Sequence, residues 1–169
     1  MDIEEQLKQF VITTKSEKFF DKLKLDLIKE DVWPFTIATA CCGVEYNTLF
    51  TKDYYKKTDN LEIEYFPPET SDLLIIGGTI TYLYLPYLEK IYNEMPENKW
   101  VIALGSCAAS GGPFKGSYSV VPGISSKIPV DVYIPGCPPT PDQIIEGLNQ
   151  VKKRIEEKLG SNKIYNYEN

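Results

Sequence analysis

Asp72-Leu73-Leu74-Ile75-Ile76-Gly77-Gly78 is a nearly continuous apolar run that stops at two glycines. A strand with one wet face alternates polar and apolar residues. A run without that alternation is expected of a strand covered on both faces, as in parallel sheets. The flanks agree. Tyr84 to Met95 carries Leu85, Leu88, Ile91 and Tyr92 at helical spacing. Lys99 to Gly105 reads as the next buried strand, with Ser106-Cys107 at its tip, and Val130 to Ile134 as the last strand. Upstream, Trp33-Pro34 ends any preceding helix, and Phe35 to Ala40 reads as a strand of small and β-branched residues closed by Cys41-Cys42-Gly43. Val44 to about Tyr55 then reads as a helix. Leu61 to Phe66 alternates, but it stands too near Leu73 for a parallel crossover, so it reads as an antiparallel or edge strand. Thr140 or Pro141 opens a final helix expected to reach about Leu159. Strand, loop and helix in repeated order predict an α/β domain with a mainly parallel sheet.

The remaining stretches set the boundaries. Residues 1–32 are polar and charged, with a short extended run at Phe10 to Thr14 and helical spacing from Ser16 to Lys29. They read as an N-terminal arm or amphipathic surface helix. Residues 33–159 form the α/β domain and 160–169 a polar tail. Residues 108–129 are rich in Gly, Ser and Pro, and a loop of that length in a compact domain is usually functional.

Composition excludes several classes. The chain has 169 residues and a formal net charge of −6, which argues against nucleic acid as a partner through bulk electrostatics. No apolar run approaches the roughly 18 residues of a membrane span, and Met1-Asp2-Ile3-Glu4-Glu5 is too acidic for a signal peptide. The expectation is a soluble cytoplasmic chain able to dock onto a membrane complex. There are four cysteines and no histidine. Without a secretory signal, metal binding is favoured over disulfides, and any metal must be held by thiolates or carboxylates.

Cysteine spacing separates the metal chemistries. Zinc ribbons supply ligands as close pairs. Here Cys107 follows Cys42 by 65 positions and Cys137 follows Cys107 by 30, so the fold and not a local knuckle must close the site. Four thiols after strands, at the carboxyl edge where open α/β sheets bind ligands, fit an iron–sulfur cubane, whose usual ligation is four Cys. The Cys137-Pro138 step also occurs in iron–sulfur sequences. Adjacent Cys41-Cys42 is the awkward part. Neighbouring side chains on a strand point to opposite faces, so a backbone bend is expected there, with Gly43 supplying the freedom. Zinc, and buried or redox thiols, remain open on spacing alone.

Three segments carry a resemblance: Cys41-Cys42-Gly43-Val44-Glu45, Gly105-Ser106-Cys107-Ala108 and Pro135-Gly136-Cys137-Pro138-Pro139. With Gly78-Thr79-Ile80-Thr81, Tyr92-Asn93-Glu94-Met95-Pro96 and Ser117-Tyr118-Ser119-Val120-Val121, they resemble the NuoB/PSST-type 20 kDa iron–sulfur subunit of NADH:quinone oxidoreductase, respiratory complex I, from roughly Phe10 to Lys153. The resemblance implies a flavodoxin-like α/β fold. It further implies one terminal [4Fe–4S] cluster held by Cys41, Cys42, Cys107 and Cys137, and one-electron transfer from upstream clusters to quinone. The implied activity belongs to the assembled, proton-translocating enzyme. Implied partners are the 49 kDa-type (NuoD-like) subunit, which shares the quinone cavity, an upstream ferredoxin-like iron–sulfur subunit and a membrane-arm subunit. The implied place is peripheral, on the cytoplasmic side of the inner membrane or its matrix-side equivalent.

Glu45, three residues after Cys42, matches a family carboxylate and is a candidate redox-coupled proton site; the plainer reading is a first-turn acid favoured by the helix dipole. The chain departs from the common family pattern at Tyr46-Asn47 (Met-Met in many members), at Glu69-Thr70 (Arg-Gln) and at Pro113-Phe114-Lys115-Gly116 (Tyr-Tyr-His-Tyr). In that family these positions lie toward the quinone side, so the resemblance implies the acceptor less firmly than the cluster. Two rival readings remain: the small subunit of a membrane-bound energy-converting [NiFe] hydrogenase-like complex, and a structural zinc-binding scaffold. The first usually carries its leading thiols as Cys-x-x-Cys. The second would be colourless and contain zinc without iron.

Overall fold

The computed structural model describes residues 33–49 and 67–161. The expected arm over 1–32, the Leu61 to Phe66 strand and the end of the tail lie outside these residues. Four strands pair in the order β1 (Pro34–Ala38), β2 (Leu73–Gly77), β3 (Trp100–Leu104) and β4 (Val132–Ile134), all parallel. The helices are α1 (Ala40–Thr48), α2 (Leu85–Glu94), α3 (Gly105–Ser110) and α4 (Pro141–Ser161). This is the expected α/β, flavodoxin-like class, with helices on both faces of a parallel sheet.

The period of two along each strand sorts the core into two layers. Phe35, Ile37, Leu74, Ile76, Val101 and Ala103 face one way and pack on Leu85, Leu88 and Ile91 of α2. Leu73, Ile75, Ile102, Leu104, Val132 and Ile134 face the other way, against Tyr46 and Leu49 at α1 and Ile144 and Val151 of α4. Every residue of β2 is buried, as its unbroken apolar run requires. Two aspartates pin the opposite edge: Asp72 Oδ1 accepts from the Trp33 N–H at 2.6 Å, and Asp131 Oδ2 accepts from the Val101 N–H at 2.8 Å.

Three boundaries differ from the sequence reading. The first strand ends at Ala38, and the helix after it begins at Ala40, ahead of the thiols and not after them. The stretch 108–129 is not all loop: it opens inside α3 and contains two short 3-10 turns, Gly112–Phe114 and Ile124–Ser126. The last helix runs on to Ser161.

The start of α4 is a reciprocal cap. The Gln143 N–H donates to Thr140 Oγ1 at 3.4 Å, and Gln143 Oε1 accepts from the Thr140 N–H at 2.8 Å. That closes two amides which the first turn cannot pair within the helix. Thr140→Ala is expected to destabilise this end by about 1 kcal/mol. Amide exchange in residues 142–144 should quicken about fivefold, with α2 unchanged as internal control.

Candidate metal centre at the carboxyl edge

Parallel register sets the site. Ala38 pairs with Gly77, Gly77 with Leu104 and Leu104 with Ile134, so the four strands end on one row. Cys41, Cys107 and Cys137 each stand three residues past that row, and Cys42 stands one further. Residues distant in sequence therefore reach one edge by equal steps from aligned strand ends.

The adjacency of Cys41 and Cys42 has a different solution from the one expected. Both thiols lie on the first turn of α1, where successive side chains diverge by about 100° and not by the half-turn of a strand. The bend is made at Ala40, the sole non-glycine with positive φ among the described residues, at +53°. A left-handed alanine costs about 1 kcal/mol, and such strain concentrates at functional sites. Gly43 is needed for close approach instead: a Cβ there would collide with the Ala38 carbonyl oxygen.

Cys42 and Cys107 are buried, whereas Cys41 and Cys137 are exposed; all four are free thiols. The Cys42 thiol is pushed up from 9.0 to about 11, first by burial and then by charge on Cys41; the Gly78 N–H donated to its sulfur opposes the rise, and a Cys41 hydrogen bond and Cys107 contribute to it. Cys41, Cys42 and Cys107 are thus electrostatic neighbours. Cys137 joins through the backbone, because Ser106 donates its N–H (2.8 Å) and its Oγ–H (2.9 Å) to the carbonyl of Gly136.

Among the described residues, no three Cys, Asp or Glu side chains converge tightly enough to hold one metal ion between them. A cubane distributes its four protein ligands over separate irons, so its thiols need not converge on a point. The donor set fits such a group: thiolates are the soft ligands it takes, and a resident cation would favour the charged form that burial here opposes. The cradle fits as well. Gly105 has φ +82°, and a Cβ on it would lie 2.5 Å from the Cys42 sulfur. The small residues around Cys107 therefore leave room for another loop's thiol, a relation that no local pattern announces. Gly78 and Ser106 belong to the motifs read from the sequence, at the strand ends Gly77-Gly78 and Ser106-Cys107, but the motifs do not reveal what either contacts.

Glu45 lies in the second turn of α1 and is half-buried, and the first turn contains no acid. The helix-start reading of this residue is thereby corrected. It sits three and four residues after the two thiols, on their side of the helix.

A family model described as the 20 kDa subunit of NADH ubiquinone oxidoreductase matches residues 14–151. The chain belongs to that family. A NADH-quinone oxidoreductase subunit of Clostridium beijerinckii is 44% identical over 154 residues, covering 91% of this chain and 89% of its own length. Its namesake in Heliobacterium modesticaldum is 38% identical, covering 91% and 86%. Among solved structures, a chain of the membrane-bound sulfane sulfur reductase, described as an archaeal respiratory membrane complex, superposes with a TM-score of 0.62 at 28% identity, covering 84% of this chain and 77% of that one. As a member of the 20 kDa family, the chain has a matched region that spans every described strand and all four cysteines.

Proposed function

We propose that this chain is the electron-transfer subunit of an NADH:quinone oxidoreductase, holding one [4Fe–4S] cluster through Cys41, Cys42, Cys107 and Cys137. The observation that carries the reading is the common three-residue step from one row of strand ends to three of the thiols, with Cys42 one residue further, in a chain with no histidine. When bound, such a group accepts and releases single electrons without any bond being made by the polypeptide. The protein supplies position, dryness and polarity. Buried Cys42 and Cys107 close the inner side of the site, and the Gly78 N–H aimed at the Cys42 sulfur favours negative charge there. Exposed Cys41 and Cys137 leave the outer side for partner chains: the 49 kDa-type subunit, the upstream ferredoxin-like subunit and a membrane-arm subunit, with quinone as acceptor. Among the described residues no helix is long and apolar enough to cross a membrane. Peripheral attachment on the cytoplasmic face, through those partners, is the matching arrangement.

The test is metal and sulfide analysis of the anaerobically purified complex, with quinone reduction by NADH assayed on the same sample. One cluster of this type per chain, with activity lost on Cys107→Ser, is the expected result. Zinc without iron overturns the cluster assignment. A partner large subunit with paired nickel-ligand cysteines, and hydrogen activity without quinone reduction, moves the chain to the hydrogenase-like reading.

Glu45 has a role within the same proposal. Adding an electron near a carboxylate disfavours its charge, because like charges repel, so reduction draws a proton onto it. The other titratable side chains close to it on α1 are the two thiols and the Tyr46 phenol, which is buried against Thr36. Protons are scarcer as pH rises, so the cluster's midpoint potential falls with rising pH where Glu45 takes one up. Glu45→Gln keeps the shape and removes the proton site, so the slope is expected to flatten and the potential to rise modestly. A redox titration at several pH values checks this; an unchanged slope removes Glu45 from the electron–proton coupling.

A further inference from the structure

Cys137 is not positioned by β4 alone. Only three residues of β4 pair with β3, and the chain leaves it through Pro135-Gly136. Gly136 has φ +148°, and a Cβ on it would collide with Pro139, so the loop doubles back tightly at this point. Across the edge, Ser106 stands between Gly105, whose missing Cβ makes room for the Cys42 sulfur, and Cys107. The Ser106 amide is a first-turn N–H of α3, which has no carbonyl partner within its own helix. It donates instead to Gly136 O, and the Ser106 hydroxyl donates to the same oxygen.

A carbonyl oxygen has two lone pairs, and here Ser106 addresses both. The peptide unit is rigid: holding its oxygen from two donors fixes the whole plane, including the nitrogen and Cα of the next residue. The next residue is Cys137. We propose that Ser106 is the positioning residue for Cys137, a two-point clamp that locks the third thiol-bearing loop to the second. The amide half survives any substitution other than proline. The hydroxyl half is particular to Ser, or to Thr with one extra methyl. The clamp rests on the cluster reading for its functional consequence but not for its existence.

The experiment compares Ser106→Ala and Ser106→Thr with the unmodified subunit in the purified complex, using two readouts. The first needs no cluster: exchange of the Gly136 and Cys137 amides, the N–H groups between the prolines of residues 135–140. Ser106→Ala is expected to quicken it about threefold to tenfold, the range set by loss of one neutral hydrogen bond, with β2 unchanged and Ser106→Thr close to the unmodified protein. The second is the low-temperature paramagnetic spectrum of the reduced cluster, with the rate of iron loss to a chelator. Ser106→Ala should broaden or shift the signal and speed iron loss by a similar factor, and Ser106→Thr should restore both. A general loss of stability would speed exchange in β2 as well and would not be rescued by threonine. Unchanged exchange in residues 135–140 overturns the clamp. Changed exchange with an unchanged spectrum and iron loss overturns its role in positioning Cys137. Absence of iron from the unmodified complex, with the exchange difference intact, overturns the cluster reading and leaves the clamp standing.

Discussion

Cys137→Ser is expected to abolish or strongly perturb the paramagnetic signal of this subunit's reduced cluster while the signals of upstream clusters in the same complex persist. The substitution changes one soft sulfur donor to a hard oxygen and leaves the loop almost untouched. Cys137 is exposed and on the outer side of the site, and its position follows from Gly136, Pro139 and the Ser106 contact, none of which involves its sulfur. The fold should survive and the cluster should not. Iron and sulfide analysis of unmodified and substituted complexes gives the count: a loss of about four irons and four sulfides per complex is what a cubane predicts. An intact signal and unchanged iron in Cys137→Ser would remove this residue from the ligand set. The inner thiols are less clean targets, because Cys42 is also part of the buried layer under α1 and its loss leaves packing behind to repair.

Gly105→Ala is expected to empty the same site without replacing any cysteine. Two costs combine. The backbone at φ +82° is left-handed, where an alanine costs about 1 kcal/mol. The added methyl would also sit 2.5 Å from the Cys42 sulfur, which must move away from the position it shares with Cys41 and Cys107. Relief of such overpacking costs a further 1–3 kcal/mol or so. Gly116 supplies the control. Its φ is +91°, yet nothing lies within 4 Å of where its Cβ would be. The two substitutions share the backbone penalty, and only Gly105→Ala presses on a sulfur. Bound iron is expected to fall about tenfold or more in Gly105→Ala and to stay within about twofold in Gly116→Ala, since 1.4 kcal/mol corresponds to a factor of ten. Equal iron content in the two proteins would show that the methyl finds room and that Gly105 serves only its turn.

The sheet was legible in the sequence because its information is local. An unbroken apolar run from Leu73 to Ile76, stopped by two glycines, is expected of a strand with both faces covered, and helical spacing at Leu85, Leu88 and Ile91 places α2 between two such runs. The opening of the last helix at Thr140 or Pro141 is likewise a property of a few consecutive residues. Since a parallel sheet aligns its strand ends, placing a cysteine after each of three strands was enough to predict one edge.

Tertiary structure decided what the local pattern could not carry. Cys41 and Cys42, read on a strand's alternation, called for a bend at Gly43; the left-handed turn at Ala40 makes it instead, starting α1 early and putting both on a helix. That turn has no signature, since alanine gives no hint of positive φ. The glycine before Ser106-Cys107 belongs to Cys42, more than sixty positions away, and Ser106 reaches Gly136 across 30. Contacts of that kind exist only once the strand register has brought separate loops to the same row. Sequence by itself determined which residues arrive at the edge, because arrival depends on short-range periodicity. The fold decided which of them touch, because touching depends on long-range alignment of the sheet.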